Sequence, residues 1–581
     1  MTKSTWNTQP ASGEWNTAAN WSPSGTPTDT AAFSSSTETV ISFSPTAAAT
    51  VENIEFADGA PAYTFTFGPC DTPALTITGE GVSNRSRRQQ SFIVAATSSG
   101  YTDPQLKFIN AASAGGDDMF YCAGPETEQG YGGGVICFCD NATAGSASFK
   151  AWTGAAAPPK HGSTVGGEIS FCDSTSADSA RFMIYGSLGT DGDTFGNVVF
   201  HQTATAANAT FTNVGGTVSG GDGGNTQFYG NSTAAYGVFN NWGGTHSKAN
   251  GGDVAFDGTA DGGHGHFYNH AARAAGAYGG VTSFNNNPPH VEAGGASAGH
   301  GSYFNYGARE GEQGGGGHLE FSAKYGSPTG ANATIVNYGS AIESKSSAGH
   351  TIFSINLPTD YFPTAGNATI WNHPGVSEEG AAGFTEFSVY VSKSGSDNSS
   401  ASSKVPTAGD GTIINLGGTT SKATGGYTVF SGTSSAGNAT LIAHGGIHGG
   451  YGGQIAFYDE SSGGTAKVHL FGNGELAISD HTKGVTIGAL EITGGVIAIQ
   501  LGNTVTNLTV SGDLILNSSQ ATFSFWTNDD GGFAFNTPYT ILTNANLSGF
   551  TAERFSGNSI EGVEPRFAIV GDELKVTFLQ G

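Results

Sequence analysis

The sequence predicts an all-β protein, a single-stranded parallel β-helix (β-solenoid) with about 28-residue turns and terminal caps. The first observation is a recurring motif in which phenylalanine follows glycine by four residues, as in GGDVAF at 251–256. The second is that apolar and polar residues alternate within each copy, which indicates a strand with one buried face. The third is the spacing: between Phe200 and Phe284 the copies return every 28 residues, and so short a unit buries its core only by stacking on the next.

The first repeated element is the strand that ends at this phenylalanine. Thr, Val or Ile stands two residues before it in most copies, and these residues favour pleated strands. Because the glycine lies where the chain enters the strand, we expect it to turn a corner with a positive φ. The eleven closing phenylalanines are Phe138, Phe171, Phe200, Phe228, Phe256, Phe284, Phe321, Phe353, Phe387, Phe430 and Phe457.

The second repeated element is a strand around another apolar residue, eleven residues further on in seven of the eleven copies. Only alanine or glycine stands two positions before that residue. Equivalent positions of successive turns lie about 4.8 Å apart, so each column of residues becomes a ladder. We expect the aromatic rings to stack inside and the small residues to leave room for them. We also expect side-chain amide hydrogen bonds from turn to turn along a third column, Asn213, Asn241, Asn269, Asn305, Asn337, Asn372 and Asn415.

Composition divides the chain into five regions. Trp6, Trp15 and Trp21 cluster near the start, where a solenoid needs a cap over its first turn. From about Gly484 the core positions become aliphatic, and the last residues hold more charge and more aromatic side chains. The predicted regions are a Trp-rich N-terminal capping region (1–80), entry turns (81–130), an eleven-turn β-helix body (131–475), aliphatic-core terminal turns (476–522) and a C-terminal cap (523–581).

The charge balance excludes some partners. With 21 Lys and Arg against 47 Asp and Glu, the formal net charge of −26 repels nucleic acid and anionic membrane surfaces. No segment approaches the roughly 20 apolar residues of a membrane-spanning helix, so we expect no membrane insertion. The first residues lack the apolar core of a signal peptide, so the sequence itself does not indicate export.

Three segments carry a resemblance to a known family. They are the entry WNTAANWSPSGTP at 15–27, the Asn-Ala-Thr turns such as 208–211 and 438–441, and the closing YTILTNANLSGF and LKVTF. In these the chain resembles bacterial autotransporter-associated β-strand repeat proteins, and the resemblance spans most of its length. It implies an exported, extracellular or cell-surface β-helix that serves as an adhesin, stalk or matrix component without enzymatic activity.

We therefore expect a non-enzymatic structural or adhesive protein that associates with itself, end to end or laterally into fibres, or with a cell-surface glycan. The alternative is a carbohydrate-binding or carbohydrate-cleaving β-helix, such as a polysaccharide lyase or a tailspike-like hydrolase. Several carboxylates with a Lys or Arg at one point would favour cleavage, whereas a face of aromatic and amide groups alone would favour binding without chemistry. Because cations are scattered and Asp140 and Asp173 fit turn caps better than catalysts, we expect no catalytic residues. Gly-rich turns with aspartate are expected to be turns rather than calcium sites, so neither metal nor cofactor is expected.

One outer face carries more apolar residues than a coil requires. Beside the second repeated position, outward-facing aromatic and imidazole side chains recur over successive turns. An exposed patch of this kind is normally covered, either by side loops of this chain (285–300 and 388–411), by a neighbouring copy, or by glycan rings. The candidate binding residues are Trp242, Tyr268, His270, Phe304, Tyr306, Tyr338, Trp371 and His373.

The five cysteines all lie in the first third of the chain, without the spacing of a metal site. Cys139 and Cys172 each follow a closing phenylalanine of adjacent turns, so both are expected to point outward, one above the other. Their expected Cα separation of about 4.8 Å lies in the range that a disulfide tolerates. A disulfide and an unpaired pair of thiols both remain open.

Overall fold

The computed structural model describes residues 2–44, 46–68, 74–95, 105–125, 132–153, 166–188, 194–285, 294–356, 359–390, 404–502, 505–527 and 532–580. In this part of the chain, 36 strands belong to one mostly parallel sheet and five to a second sheet. Within the described ranges, helix is confined to the single 3-10 turns Ala18–Asn20, Lys345–Ser347, Leu547–Gly549 and Ala552–Arg554. The predicted all-β repeat architecture is confirmed. The chain divides into two compact units, Met1–Thr282 and Ser283–Gly581.

Unit 1 is built from short strands, most of them four or five residues long. Up to the unit boundary the strands are β1 (Lys3–Trp6), β2 (Trp21–Ser22), β3 (Thr30–Phe33), β4 (Val40–Ser42), β5 (Ala49–Phe56), β6 (Thr64–Phe67), β7 (Leu75–Asn84), β8 (Gln90–Val94), β9 (Leu106–Phe108), β10 (Met119–Ala123), β11 (Val135–Phe138), β12 (Ser148–Ala151), β13 (Glu168–Phe171), β14 (Arg181–Ile184), β15 (Asn197–Phe200), β16 (Thr210–Asn213), β17 (Asn225–Phe228), β18 (Val238–Asn241), β19 (Asp253–Phe256) and β20 (His266–Asn269), and β21 (Val281–Asn285) crosses it.

Each strand of the repeat pairs in parallel with the strand two further along the chain. The register places Phe171 opposite Phe200, and Phe200 opposite Phe228. Their ring centroids lie 4.8 and 4.7 Å apart with nearly parallel planes. The phenylalanines of the second column stack in the same way, with 4.7 Å between Phe211 and Phe239. The predicted inward ladders are therefore confirmed within this unit.

The small residues of the repeat make room for those rings. A Cβ atom added to Gly265 would lie 2.9 Å from the ring of Phe267, so even a methyl group there would require a shift of the ring. Glycine is required before each strand for a different reason from the predicted one. Gly252 does not have a positive φ, so that prediction is wrong. Glycine is required because an added Cβ would lie 2.2 Å from the carbonyl oxygen of Asn213.

The predicted tryptophan cluster is buried at the start of unit 1. Strand β1 pairs antiparallel with β2, which places Trp6 opposite Trp21. The rings of Trp6 and Trp15 each pack edge-on against Trp21, with centroids 5.0 and 4.9 Å apart. The indole N–H of Trp21 donates to the carbonyl of Trp15 at 2.8 Å. This arrangement removes three large side chains from water before the parallel pairing begins, and the exact bounds of a capping region remain a prediction.

Unit 2 repeats the same pattern and then changes it. Its strands are β22 (Ser302–Asn305), β23 (His318–Ser322), β24 (Thr334–Asn337), β25 (His350–Ile355), β26 (Thr369–Asn372), β27 (Phe384–Val389), β28 (Thr412–Asn415), β29 (Tyr427–Phe430), β30 (Thr440–Ala443), β31 (Gln454–Phe457), β32 (Lys467–Ala477), β33 (Val485–Ile487), β34 (Ala489–Leu501), β35 (Leu508–Val510), β36 (Leu514–Leu516), β37 (Ala521–Thr527), β38 (Tyr539–Thr543), β39 (Phe555–Gly557), β40 (Pro565–Val570) and β41 (Glu573–Phe578).

The inward ladder of unit 2 runs along β23, β25, β27, β29 and β31. Phe321 stacks on Phe353 at 4.6 Å, and Phe353 stacks on Phe387 at 4.7 Å. Strands β32 and β34 are longer, with 11 and 13 residues, and the core beside them becomes aliphatic, with Ile487 and Leu490 buried. The five-stranded sheet closes the chain with antiparallel pairs, β38 with β41 and β40 with β41. Antiparallel pairing ends the parallel repeat at this point.

The asparagine column forms the predicted chain of side-chain amides. In unit 2 the Nδ2 atom of Asn305 donates to Oδ1 of Asn337 at 2.8 Å, and Asn337 donates to Asn372 at 2.8 Å. Asn372 donates to Asn415 at 2.7 Å. All four side chains are fully buried. A buried amide is costly unless it is hydrogen-bonded, and here each turn supplies the partner for the next.

Candidate functional site

The predicted aromatic face of unit 1 consists of a stacked pair. Trp242 and His270 follow β18 and β20, and their ring centroids lie 4.0 Å apart with planes 8° apart. Trp242 remains 41% exposed. Tyr268 lies in the neighbouring column, opposite Asn240, and is half-buried. The parallel register therefore brings these three candidate residues together on the outside of two successive strands.

The predicted face of unit 2 is longer. Tyr306 and Tyr338 stack with centroids 5.0 Å apart and planes 2° apart, and His373 continues the column at 5.0 Å from Tyr338. Phe304 and Trp371 lie in the next column, separated by Val336 in the strand register. All five residues are half-buried. We call these five residues the aromatic ladder.

Burial and one cation set the electrostatics of the aromatic ladder. The guanidinium of Arg309 lies over the ring of Tyr306, with Cζ 5.8 Å from the centroid. Burial lowers the pKa of His373, so its imidazole is neutral at neutral pH. The ladder is thus an uncharged column of stacked aromatic rings with a cation at one end. The side loops expected to cover it, 285–300 and 388–411, lie partly outside the described residues.

A second outer surface of unit 2 was missed by the sequence analysis. At the first position of β23, β25, β27 and β29 the rings of His318, His350, Phe384 and Tyr427 stack in one column. Successive centroids are 5.1, 4.8 and 5.1 Å apart. The sequence could have revealed this column, because each of these residues stands three positions before a closing phenylalanine. We call this column the histidine strip.

Charged groups gather beside the histidine strip. The ammonium of Lys345 lies 4.6 Å from the ring centroid of Phe384 and 3.3 Å from a carboxylate oxygen of Glu386. The side chain of Glu386 is only 13% exposed and also accepts a hydrogen bond from the hydroxyl of Tyr390. Glu320 occupies the same register position as Glu386, two turns earlier, with Ile352 between them. A lysine and two carboxylates therefore reach the same side of unit 2.

Burial changes the pKa values of several of these groups. It raises the pKa of Glu320, and thereby favours a protonated carboxyl. Burial, followed by repulsion from His350, lowers the pKa of His318 to about 3. Burial likewise lowers the pKa of His350, whose Nδ1 lies 2.9 Å from the carbonyl oxygen of Ala348. At neutral pH the strip holds neutral imidazoles beside one ion pair, an arrangement that suits hydrogen bonding to a polar, uncharged ligand.

The predicted turn aspartates act as caps. Asp140 and Asp173 have φ values of 58° and 56°. The backbone N–H of Asp140 donates to the carboxylate of Asp173 at 3.0 Å, and the N–H of Asn110 donates to the carboxylate of Asp140 at 2.9 Å. Their carboxylates therefore serve backbone amides of neighbouring turns, as expected from the sequence.

The predicted cysteine pair lies in the expected relation. The N–H of Cys139 donates to the carbonyl of Phe108, and the N–H of Cys172 donates to the carbonyl of Phe138, so the two residues occupy equivalent positions of successive turns. Both are free thiols in the structure, and the disulfide remains a prediction. Cys70 lies outside the described residues.

Among the described residues, no group of three or more His, Cys, Asp and Glu is arranged to hold a metal ion. The same part of the chain contains no helix long and apolar enough to cross a membrane. No protein-family model matches the chain, and no curated protein matches it with significance. The function of the aromatic ladder and the histidine strip is therefore inferred from the chemistry of their side chains.

Proposed function

We propose that the repeat closes into a single-stranded parallel β-helix with about 28-residue turns, capped by the tryptophan cluster and by the C-terminal sheet. Support comes from the pairing of each strand with the strand two further along the chain. Additional support comes from a third contact per turn, the column of isolated parallel bridges that includes Thr205 with Thr233 and Thr364 with Thr407. Two strands and one bridge per turn supply three sides of a coil.

We further propose that the protein is a non-enzymatic extracellular structural or adhesive element that binds neutral cell-surface glycans. The aromatic ladder carries this proposal. The rings of Tyr306, Tyr338 and His373 repeat at about 5 Å and remain partly accessible, so the column offers a strip of apolar ring edges against which the C–H groups of sugar rings can pack. A formal net charge of −26 opposes acidic polysaccharides, and so favours uncharged glycans.

Calorimetric titration with a panel of neutral and acidic oligosaccharides tests this proposal. We expect heat with at least one neutral glycan, and at least tenfold weaker binding after Tyr306→Ala with Tyr338→Ala, because each lost stacking contact is worth about 1 kcal/mol. Tyr451→Ala is the matched control, since Tyr451 is an exposed tyrosine (58%) of the same unit outside the ladder. Silence across the panel would overturn glycan binding. Concentration-dependent association that the same double variant abolishes would assign the ladder to self-association.

A second candidate function, cleavage of a bound glycan, is favoured by Glu320, Glu386 and Lys345. Two turns of about 4.8 Å separate the two glutamates by about 9.6 Å, near the upper end of the carboxylate separation in inverting glycosidases. Glu320, with its raised pKa, would be the acid, and Glu386, paired with Lys345 at 3.3 Å, the base. Release of reducing ends that is lost in Glu320→Gln and Glu386→Gln but kept in Glu343→Gln would establish cleavage. A glycan that binds and stays intact would exclude it.

A further inference from the structure

Three thiols meet on two successive turns of unit 1. Cys137 lies in β11, Cys139 follows that strand, and Cys172 follows β13, the parallel partner of β11. The Sγ atoms of Cys137 and Cys139 are 3.4 Å apart, and the thiol of Cys172, in the next turn, interacts electrostatically with both. Lys107 lies opposite Cys137 in the strand register of the preceding turn and places a positive charge near Cys139. The three sulfurs and one ammonium thus form a single network.

The interactions among these groups give the thiols different pKa values. The hydrogen bond with Cys137, then that with Cys172, and then Lys107 lower the pKa of Cys139. The same hydrogen bonds raise the pKa of Cys137, which is buried with 7% exposure. These directions make Cys139 the more acidic thiol and Cys137 the less acidic one beside it. Because Cys139 is half-buried, its sulfur remains within reach of a small reagent.

The separation of the Cα atoms determines which two cysteines can form a disulfide. Cys139 and Cys172 occupy equivalent positions of adjacent parallel turns, about 4.8 Å apart, which lies within the Cα range of disulfides. Cys137 and Cys139 are two residues apart on one extended segment, about 6.6 Å between Cα atoms, which is near the upper limit of that range. The inter-turn pair is therefore the one that forms a bond with little backbone movement.

We propose that Cys139 and Cys172 form a thiol–disulfide exchange site for low-molecular-weight disulfides, with Cys137 as the positioning residue of the Cys139 thiolate. The site belongs to unit 1 and shares no residue with the aromatic ladder of unit 2, so its test does not depend on glycan binding. Its product is a covalent bond between two successive turns, and Cys137 remains a thiol.

The exchange takes two steps. The Cys139 thiolate attacks one sulfur of an external disulfide RSSR, forms a mixed disulfide Cys139–S–S–R, and expels RS⁻. Cys172 loses its proton to solvent and its thiolate attacks the Cys139 sulfur, which expels a second RS⁻. Both leaving groups take up protons as RSH. The two protein thiols are oxidised by two electrons, and the external disulfide is reduced to two thiols.

The test uses the full chain with Cys70→Ser and Cys122→Ser, oxidised glutathione, and peptide mass spectrometry after alkylation of the remaining thiols. We expect a Cys139–Cys172 disulfide in this background. With Cys172→Ser added, we expect glutathione trapped on Cys139. With Cys139→Ser added instead, we expect neither product. With Cys137→Ala, the disulfide should still form, but alkylation of Cys139 at mildly acidic pH should slow by about tenfold as its thiolate fraction falls.

The unmodified chain provides an internal control. Cys122 is also half-buried and lies beside a lysine, Lys150, but burial raises its pKa. We therefore expect Cys122 to be alkylated more slowly than Cys139 in the same sample. The proposal is overturned if Cys139→Ser still exchanges, if the linked peptides are those of Cys137 and Cys139, or if Cys122 reacts first. The far-UV circular dichroism of every variant must match that of its parent.

Discussion

At the residue scale, the buried asparagines show how a polar side chain is accommodated inside the repeat. Asn337 accepts hydrogen bonds from Asn305 and from the hydroxyl of Thr351. Its Nδ2 donates to Asn372 and to the carbonyl of Phe384. Both its oxygen and its nitrogen are satisfied by neighbouring turns, so removal of one amide leaves several buried groups without partners.

Replacement of Asn337 by Ala should destabilise unit 2 by about 2–4 kcal/mol, because each buried polar group left unpaired costs about 1–3 kcal/mol. Asn332→Ala is the matched control, since the exposed side chain of Asn332 accepts one bond of 3.3 Å from Asn367. Urea unfolding followed by fluorescence measures both variants. Equal midpoints for the two variants would contradict the role assigned to the amide column.

Glycine at the strand entry shows the limit of sequence reasoning at this scale. The recurrence of glycine was evident, and a corner with positive φ is the usual reason for it. At Gly252 the actual reason is a backbone from another part of the turn, whose carbonyl occupies the space of a Cβ atom. Such a contact joins residues far apart in the chain, and a one-residue pattern carries no information about it.

At the element scale, alternation determines which side chains a strand turns inward, and that part was predictable. The closing phenylalanine and the residue two before it are buried in every described copy, as in Leu319 and Phe321. The outward positions were only half understood. The outward residues of the second strand were predicted to form a surface, whereas those of the first strand, where His318, His350 and Phe384 stack, were not. Burial of an outward column depends on what packs over it, which the alternation does not encode.

The half-buried histidines of the histidine strip make a pH dependence of unit 2 predictable. The pKa of His318 falls to about 3 in the folded chain against an ordinary value of 6.5, and that of His350 is also lowered. The unfolded chain therefore binds these protons first, so stability is full above about pH 6.5 and is lost as the pH falls toward about 3. The raised pKa of Glu320 acts in the opposite direction, through one group against two.

We expect His318→Phe with His350→Phe to flatten this loss of stability, since phenylalanine preserves the stacked column and does not titrate. The measurement is the urea midpoint between neutral and mildly acidic pH. His266→Phe is the control, because His266 is an exposed residue at the first position of a strand in unit 1. An unchanged slope in the double variant would show that other groups cause the acid sensitivity.

At the scale of the whole molecule, the repeat makes contacts between neighbouring turns the dominant ones. The pairing of each strand with the strand two further along was predictable from the columns, since only stacked turns bring like residues together. The bounds of the five predicted regions and the strand pairing at each end were harder to predict from the sequence. The antiparallel pairing of β38 with β41 follows from strands that share no motif with the repeat, and no column indicates their register.

Replacement of Phe387 by Ala should loosen the turns that touch it and leave distant ones intact, because stability in stacked repeats is close to a sum over neighbours. Phe387 stacks on Phe353 and Phe430. We expect hydrogen exchange to quicken in β25, β27 and β29, and to stay unchanged in β38 and β41. Thr369→Ala, a half-buried outward position, is the control. Uniform acceleration across unit 2 would indicate a cooperative globule instead of additive turns.

The buried amides also give the interior a direction. From Asn305 to Asn415 every carboxamide points its NH₂ toward the turn that follows and its oxygen toward the turn before, so the small dipoles add. The series stops where Ala443 replaces asparagine, and the Nδ2 atom of Asn415 is buried there without an acceptor among the described residues. The interior thus carries an electrical polarity, and inverting a single carboxamide would set two NH₂ groups face to face at one end and two oxygens at the other.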